Sequence, residues 1–203
     1  MHIERERRFR LSDDVYRRIL TAFGWSHPVE QRDVMLGPDG PASMTTVGWV
    51  VRLRIEEGDC RMQYKGKLSN EAEHLEAEVG VDSVHGAAEL LSLMGLRLGL
   101  VIKRARRSVD VAGARLALDD VTTLGRFLEI EAIGGQDLDP TADLVQQFGL
   151  SEECGPYGDL ILKGIEVSGE WAKRYAREKA EVLADLGLEL VFPAKDRTWP
   201  SPS

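Results

Sequence analysis

Long apolar runs, cysteine, histidine and aromatic residues are all scarce in this sequence, and each scarcity removes a class of protein. The longest apolar stretches, such as residues 98–102, fall far short of the roughly 20 residues needed to cross a bilayer as a helix, so no membrane partner is expected. The opening Met1-His2-Ile3-Glu4-Arg5-Glu6 interleaves acids and bases without the apolar centre of a secretion signal, which makes a cytoplasmic location the default. The two cysteines, Cys60 and Cys154, stand at unrelated places, too few for a disulfide framework or a zinc site. Neither has a neighbouring base that would mark a nucleophile. His2, His27, His74 and His85 show no metal-ligand spacing. A G-x-x-x-x-G-K-[ST] motif is missing, which excludes the P-loop enzymes, and Leu36-Gly37-Pro38 reads as a turn. Basic residues are outnumbered 26 to 34, giving a net charge of −8 that argues against nucleic acid as the main partner. A small anionic ligand is still compatible with that balance.

What is abundant is charge in alternation. Segments 3–11, 48–56, 59–67, 73–81, 100–111, 114–121 and 125–133 alternate with period two, the mark of β-strands. Glu57-Gly58-Asp59 and Ala112-Gly113 read as hairpin turns between neighbours. Apolar spacing of three and four predicts a helix from Ser12-Asp13-Asp14 through Val15, Ile19, Leu20 and Phe23, and another over 84–94. A third runs from Thr141 to Phe148, and the chain turns strongly helical again from Gly169. Residues 26–46, rich in Pro, Gly, Asp and Ser, read as a loop with one short strand near 33–36, and 193–203 as a frayed tail. The expected class is α+β, dominated by antiparallel strands.

Sorting each strand into its two faces separates apolar from charged residues. Glu4, Glu6 and Arg8 share a face in the first strand, with Ile3, Phe9 and Leu11 opposite. Arg52 and Arg54 oppose Val51, Leu53 and Ile55; Gln63, Lys65 and Lys67 oppose Met62 and Tyr64. Glu76 and Glu78 oppose Leu75, Ala77 and Val79, while Arg104 and Arg106 share a face. Asp119 opposes Leu116 and Leu118, and Glu129 and Glu131 oppose Leu128 and Ile130. A single charged strand face is ordinarily the solvated side of a sheet. Arg5, Arg7, Lys67 and Arg115 suit that explanation. Like-charged pairs recurring on strand after strand do not, because a surface shaped for stability intersperses the signs. Side chains two apart on a strand lie only about 7 Å from each other and repel when alike, so such pairs call for counter-ions. Carboxylate pairs suit a hard divalent cation, Mg²⁺ or Mn²⁺. Arginine and lysine pairs suit phosphate. The pattern therefore predicts a metal–polyphosphate site inside a barrel whose apolar faces point outward under helices.

These residues resemble the CYTH superfamily, the class IV adenylate cyclase and thiamine triphosphatase group also called triphosphate tunnel metalloenzymes. Ile3-Glu4-Arg5-Glu6-Arg7-Arg8-Phe9 is similar to the family's E-x-E-x-K signature. Val51-Arg52-Leu53-Arg54, Gln63-Tyr64-Lys65-Gly66, Leu75-Glu76-Ala77-Glu78, Arg104-Ala105-Arg106 and Leu118-Asp119-Asp120-Val121 follow in order. Gly125-Arg126-Phe127-Leu128-Glu129-Ile130-Glu131 and Tyr157-Gly158-Asp159-Leu160-Ile161 complete a match over about residues 1–164. The resemblance implies a closed eight-stranded antiparallel β-barrel, with helices packed outside, as a tunnel domain over 1–165. A helical extension and tail over 166–203 would serve for packing or as a homodimer contact. It implies metal held by Glu4, Glu6, Asp119, Glu129 and Glu131, and phosphates gripped by Arg52, Arg54, Lys65, Arg104 and Arg106. Catalysis would rest on Glu4, Glu6, Arg8, Glu76 and Glu78, with Glu76 or Glu78 taking the proton of the attacking water. One departure stands out: Arg8 occupies the place of the signature lysine. The implied activity is divalent-metal-dependent hydrolysis of a small triphosphate: inorganic tripolyphosphate, thiamine triphosphate or a nucleoside triphosphate. Class IV adenylate cyclase, with Trp49, Tyr64 and Phe127 as candidate nucleoside contacts, and a non-catalytic polyphosphate sensor are the alternatives.

Overall fold

A computed structural model describes residues 2–42, 47–67, 73–133, 141–153 and 155–192. The elements run β1 (His2–Arg10), α1 (Asp13–Ala22), β2 (Val29–Gly37), a 3-10 turn (Gly40–Ala42), β3 (Trp49–Glu56), β4 (Asp59–Lys67), β5 (Glu73–Val81) and α2 (Val84–Leu93). Then come β6 (Arg97–Val111), β7 (Ala114–Val121), β8 (Gly125–Ala132), α3 (Ala142–Phe148), α4 (Tyr157–Val167) and α5 (Gly169–Asp185). The class is α+β: an eight-stranded antiparallel curled sheet with helices outside it. Strand order is β1-β5-β4-β3-β2-β6-β7-β8. The first strand pairs with β5 through residues 2–5 and with β8 through residues 6–10, so β1 has a partner on each side. Among the described residues no helix is long and apolar enough to cross a membrane.

Local chemistry places the turns and helix starts where the sequence puts them. Glu57 and Gly58 both take positive φ between paired Glu56 and Asp59, as do Ala112 and Gly113 between Val111 and Ala114. Two consecutive positive φ values match the right-handed twist of the flanking strands, and glycine adopts one of them without steric cost. The Ser12 hydroxyl accepts from the Val15 N–H and starts α1; Ser83 and Ser168 do the same for α2 and α5.

Apolar faces point outward and are covered on most strands, while Tyr64 of β4 and Val79 of β5 stay exposed. Val34 and Leu36 of β2, Leu53 and Ile55 of β3, and Val101 of β6 pack under Ala88 and Leu91 of α2 and Val182 and Leu183 of α5. Phe9, Leu116, Leu118, Leu128 and Ile130 pack under Ile19 of α1 and Phe148 of α3. Each such side chain contributes about 1.5–3 kcal/mol when fully buried. At one end the inner face itself turns apolar: Val50, Ile102, Val121 and Phe127 meet Tyr157, Leu160 and Ile161 of α4. That helix plugs the sheet there.

Two segments depart from the sequence-based expectation. Where one short strand near 33–36 was expected in a loop over 26–46, a nine-residue strand, β2, is paired on both sides by β3 and β6. Its polar look hid its full length, because its inner side chains Gln31 and Asp33 are buried against other polar groups instead of apolar ones. A helix, α4, spans the whole of the final matched motif, to which no element was assigned from the sequence. Residues after 165 are stitched to the sheet: the Tyr175 hydroxyl bonds the N–H and C=O of Val101 at 2.9 and 3.2 Å, and Arg174 donates to the Thr123 carbonyl at 2.6 Å. Cys60 is buried, while Cys154 and the expected tail over 193–203 lie outside the described residues.

Candidate active site

Strand order sorts the inner face into two arcs. Strands β7, β8, β1 and β5 lie side by side and carry Asp119, Glu129, Glu131, Glu6, Glu76 and Glu78. Strands β4, β3, β2 and β6 complete the circuit and carry Lys65, Arg52, Arg54, Arg104 and Arg106. Two buried residues cross this division. Arg8 sits among the acids, and Asp33 among the bases. These side chains are withdrawn from water: Arg104 is 4% exposed, Asp33 1% and Asp119 0%.

In the acidic arc, Arg8 binds the carboxylates together. Its guanidinium donates to Glu129 at 2.8 and 2.5 Å, to Glu6 at 3.0 Å and to the Gly155 carbonyl at 2.7 Å, and lies over the Tyr157 ring at 4.2 Å. Burial alone would lower its pKa, but Glu129 and Glu6 outweigh that and raise it. Arg106 reaches across from the other arc, forking onto Asp119 at 2.7 and 2.5 Å and bonding Glu129 as well. Glu129 is buried, which favours its neutral form, yet Arg8, Arg106 and Arg104 hold it ionised, well below the usual carboxylate range. The Tyr157 hydroxyl donates to Asp119 at 2.9 Å, and burial together with Asp119 and Glu129 pushes that phenol well up.

In the basic arc, Asp33 accepts a bidentate fork from Arg54 at 2.8 and 2.9 Å and a bond from Arg104 at 3.3 Å, with Arg52 at 3.5 Å. Its carboxyl is held far below the usual range, burial being outweighed by Arg54, Arg52 and Arg104. Burial and the neighbouring Arg54 lower Arg52 to about 10 despite Asp33. Gln31 and Gln63 steer Arg104 and Arg52 through bonds of 2.8 and 2.7 Å. Arg104 lies 3.8 Å from Asp119, joining the two arcs. Lys65 lies 3.2 Å from Glu76 and 3.8 Å from Glu6.

The residues expected from the sequence are thus largely brought together. Arg8, Glu6, Glu129, Arg106 and Asp119 form one network; Arg52, Arg54 and Arg104 form a second; Lys65 and Glu76 border the first. Glu131 lies directly across the β1–β8 ladder from Glu6. Glu78 stands apart: it is 37% exposed and pairs with Arg61 at the rim beside the β3–β4 turn. There Arg54, Glu56, Glu57, Asp59, Arg61, Gln63 and Glu78 line a cavity of about 190 Å³. The side chain of Glu4 lies outside the described residues. Asp33 and Gln31 were not anticipated as site residues: Asp33 opened the short strand expected near 33–36 without being sorted to a face, and Gln31 fell in the stretch read as loop; Tyr157 was noticed only within a motif. Extending the period-two reading back from Leu36 to Val29 would have put both polar residues on the face of the phosphate-binding candidates.

A model of the CYTH domain matches residues 2–159. The chain belongs to the CYTH family. Searching the curated proteins finds no match for this CYTH chain. Among solved structures it is similar to the PH1012 protein of Pyrococcus horikoshii, at 25% identity and a TM-score of 0.65, covering 77% of this chain and 98% of that one. It is similar in fold to a candidate adenylate cyclase from Vibrio parahaemolyticus at 19% identity and a TM-score of 0.64, covering 79% and 98%. A candidate adenylyl cyclase from Hippeastrum, for which a dominant triphosphatase activity is described, shares 17% identity with a TM-score of 0.58, covering 76% and 91%.

The donor chemistry of this CYTH chain fits a hard divalent cation. Glu6 and Glu131 face each other across adjacent strands, with Glu129 next along β8; all are oxygen donors. Like charges directly opposite on a sheet are destabilising, and positive charge relieves them; Arg8 and Lys65 do so for Glu6, and a bound cation would add to it. Among the described residues no three His, Cys, Asp or Glu side chains already converge as a ligand set, since Arg8 and Arg106 hold Glu6, Glu129 and Asp119.

Proposed function

We propose that this CYTH protein hydrolyses a small triphosphate, with a divalent cation, inside the tunnel that its curled sheet encloses. The observation that carries the reading is the division of one buried inner face into a contiguous acidic arc and a contiguous basic arc. A pure phosphate binder has no use for the first, and a pure metal binder none for the second. Family membership adds weight, since CYTH proteins act on triphosphates and are generally metal-dependent.

In this reading Arg52, Arg54, Lys65, Arg104 and Arg106 bind the phosphate chain, and the paired guanidinium forks fix its register. Glu4, Glu6, Asp119, Glu129 and Glu131 would hold Mg²⁺ or Mn²⁺. When bound, the cation neutralises phosphate charge and acidifies a water. In the hydrolysis a water oxygen bonds to the terminal phosphorus in line, the bridging P–O bond breaks, and the diphosphate leaves with its new charge facing the arginines. Glu76, enclosed beside Lys65, is better placed than rim-exposed Glu78 to take the water's proton. Arg8 acts as a positioning residue, holding Glu6 and Glu129 at a fixed spacing.

Hydrolysis is favoured over cyclisation of ATP by the lack of a nucleobase platform among the described inner-face residues. Phe127 is fully buried against Tyr157, and Trp49 and Tyr64 stack on each other on the opposite, outer face. Replacing Glu6 with Ala tests the reading. Turnover of tripolyphosphate should fall by at least about a hundredfold, as expected for loss of a group that stabilises the transition state. Near-wild-type turnover would remove Glu6 from the metal site.

A further inference from the structure

Asp33 is the residue that the proposed reaction leaves unexplained. It is a fully buried acid on the wall meant for an anion, and it occupies the guanidinium fork of Arg54 while also reaching Arg104 and Arg52. A carboxylate and a phosphate offer guanidinium groups the same bidentate partner geometry. The Asp33 oxygens therefore take contacts that phosphate oxygens would otherwise make. Orienting Arg104 and Arg52 does not require Asp33, since Gln31 and Gln63 already steer them with neutral oxygens.

Resting on the triphosphatase reading, we infer that Asp33 is a specificity-determining residue that competes with bound phosphates for Arg54 and Arg104 and so speeds release of the phosphate products. A triphosphate carries enough charge and length to engage Lys65, Arg52 and Arg106 as well, and it tolerates the competition. Orthophosphate and diphosphate make fewer contacts, so the same competing charge weakens them more in proportion. With Asp33 neutralised, Arg52, Arg54 and Arg104 lose the carboxylate that all three share, Arg104 keeps the more distant Asp119 at 3.8 Å, and the ligand becomes the nearest counter-ion to the cluster.

The test compares full-length wild type with Asp33→Asn. Binding of diphosphate and of tripolyphosphate is measured by calorimetry without metal, and diphosphate inhibition is measured during metal-supported turnover. Expected for Asp33→Asn are diphosphate binding at least about tenfold tighter, product inhibition stronger by a similar factor, and a larger diphosphate-induced rise in melting temperature than in wild type. Equal or weaker diphosphate binding would overturn the inference and leave Asp33 as an anchor for the arginines. Should Asp33→Asn fail to fold, Asp33→Glu keeps the charge and moves it. Diphosphate affinity within about threefold of wild type then supports competition by charge, and a change of about tenfold in either direction overturns it. Wild type that binds neither anion and turns over no triphosphate with Mg²⁺ or Mn²⁺ would sink the triphosphatase reading itself. Wild type that hydrolyses tripolyphosphate, beside an Asp33→Asn protein with unchanged product affinity, would overturn this inference alone.

Discussion

Replacing Arg8 by Lys restores the residue of the family signature, and the structure gives reason to expect that it weakens this protein. The guanidinium serves Glu129 through two nitrogens, Glu6 through one and the Gly155 carbonyl through another, while lying over the Tyr157 ring. A lysine ammonium keeps the charge but is one donor centre on a flexible stem. It can stay with one carboxylate and loses the carbonyl, the fork and the stacking. Hydrogen bonds to charged groups are worth about 1.5–3 kcal/mol each, and the retained charge avoids the full cost of breaking a buried pair, so the net loss should be about 2–4 kcal/mol. For a chain of this size that is a fall in Tm of roughly 5–15 °C. Thermal melts followed by circular dichroism, with urea titration as a second measure, read it directly. A Tm within about 2 °C of wild type would refute the idea that the fork geometry, and not the charge alone, holds Glu6 and Glu129.

Other perturbations have equally definite outcomes. Glu178 on α5 is buried against Thr123 and the Lys103 N–H, and burial raises its pKa to about 7. The folded protein therefore binds more protons than the unfolded chain between about pH 4.5 and 7, and stability from this group falls as pH rises through that window. Glu178→Gln should remove the dependence, matching wild type near pH 5 and exceeding it by up to about 3 kcal/mol at pH 8; a melt at pH 8 no higher than wild type's would contradict this. Arg54→Ala should weaken tripolyphosphate binding by about tenfold to a hundredfold with a smaller effect on turnover at saturation, read from the split between KM and kcat. A methyl group added at Gly164 would lie 2.7–2.8 Å from the Trp171 ring, so Gly164→Ala should cost about 1–3 kcal/mol by urea titration.

Much of this fold was legible because its polarity is inverted. Charges on alternate positions marked the inner face, and Leu53, Leu116, Leu128 and Ile130 marked the outer one, so strands such as β4, β5 and β7 could be bounded to the residue. The same logic caught only 33–36 of β2, because Gln31 and Asp33 answer to no apolar core and the neighbouring Glu30 and Arg32 make the segment look solvated. It failed at α4, whose function in the fold is to plug one end through Tyr157, Leu160 and Ile161, a tertiary contact that no local period reports. Charge type per strand was readable; the arcs were not, because β2 lies between β3 and β6 and β5 beside β1 only in the folded order. The two residues that cross the arcs, Arg8 and Asp33, gain their meaning from that order alone.

The most direct test of the account is a substrate panel. Tripolyphosphate, thiamine triphosphate and ATP are each incubated with Mg²⁺ and with Mn²⁺, and released phosphate and cyclic AMP are measured side by side. The account predicts phosphate release from at least one triphosphate, abolished by chelation of the metal and lost in Glu6→Ala. Cyclic AMP with diphosphate as the sole products, or no turnover of any triphosphate with either ion, would contradict it.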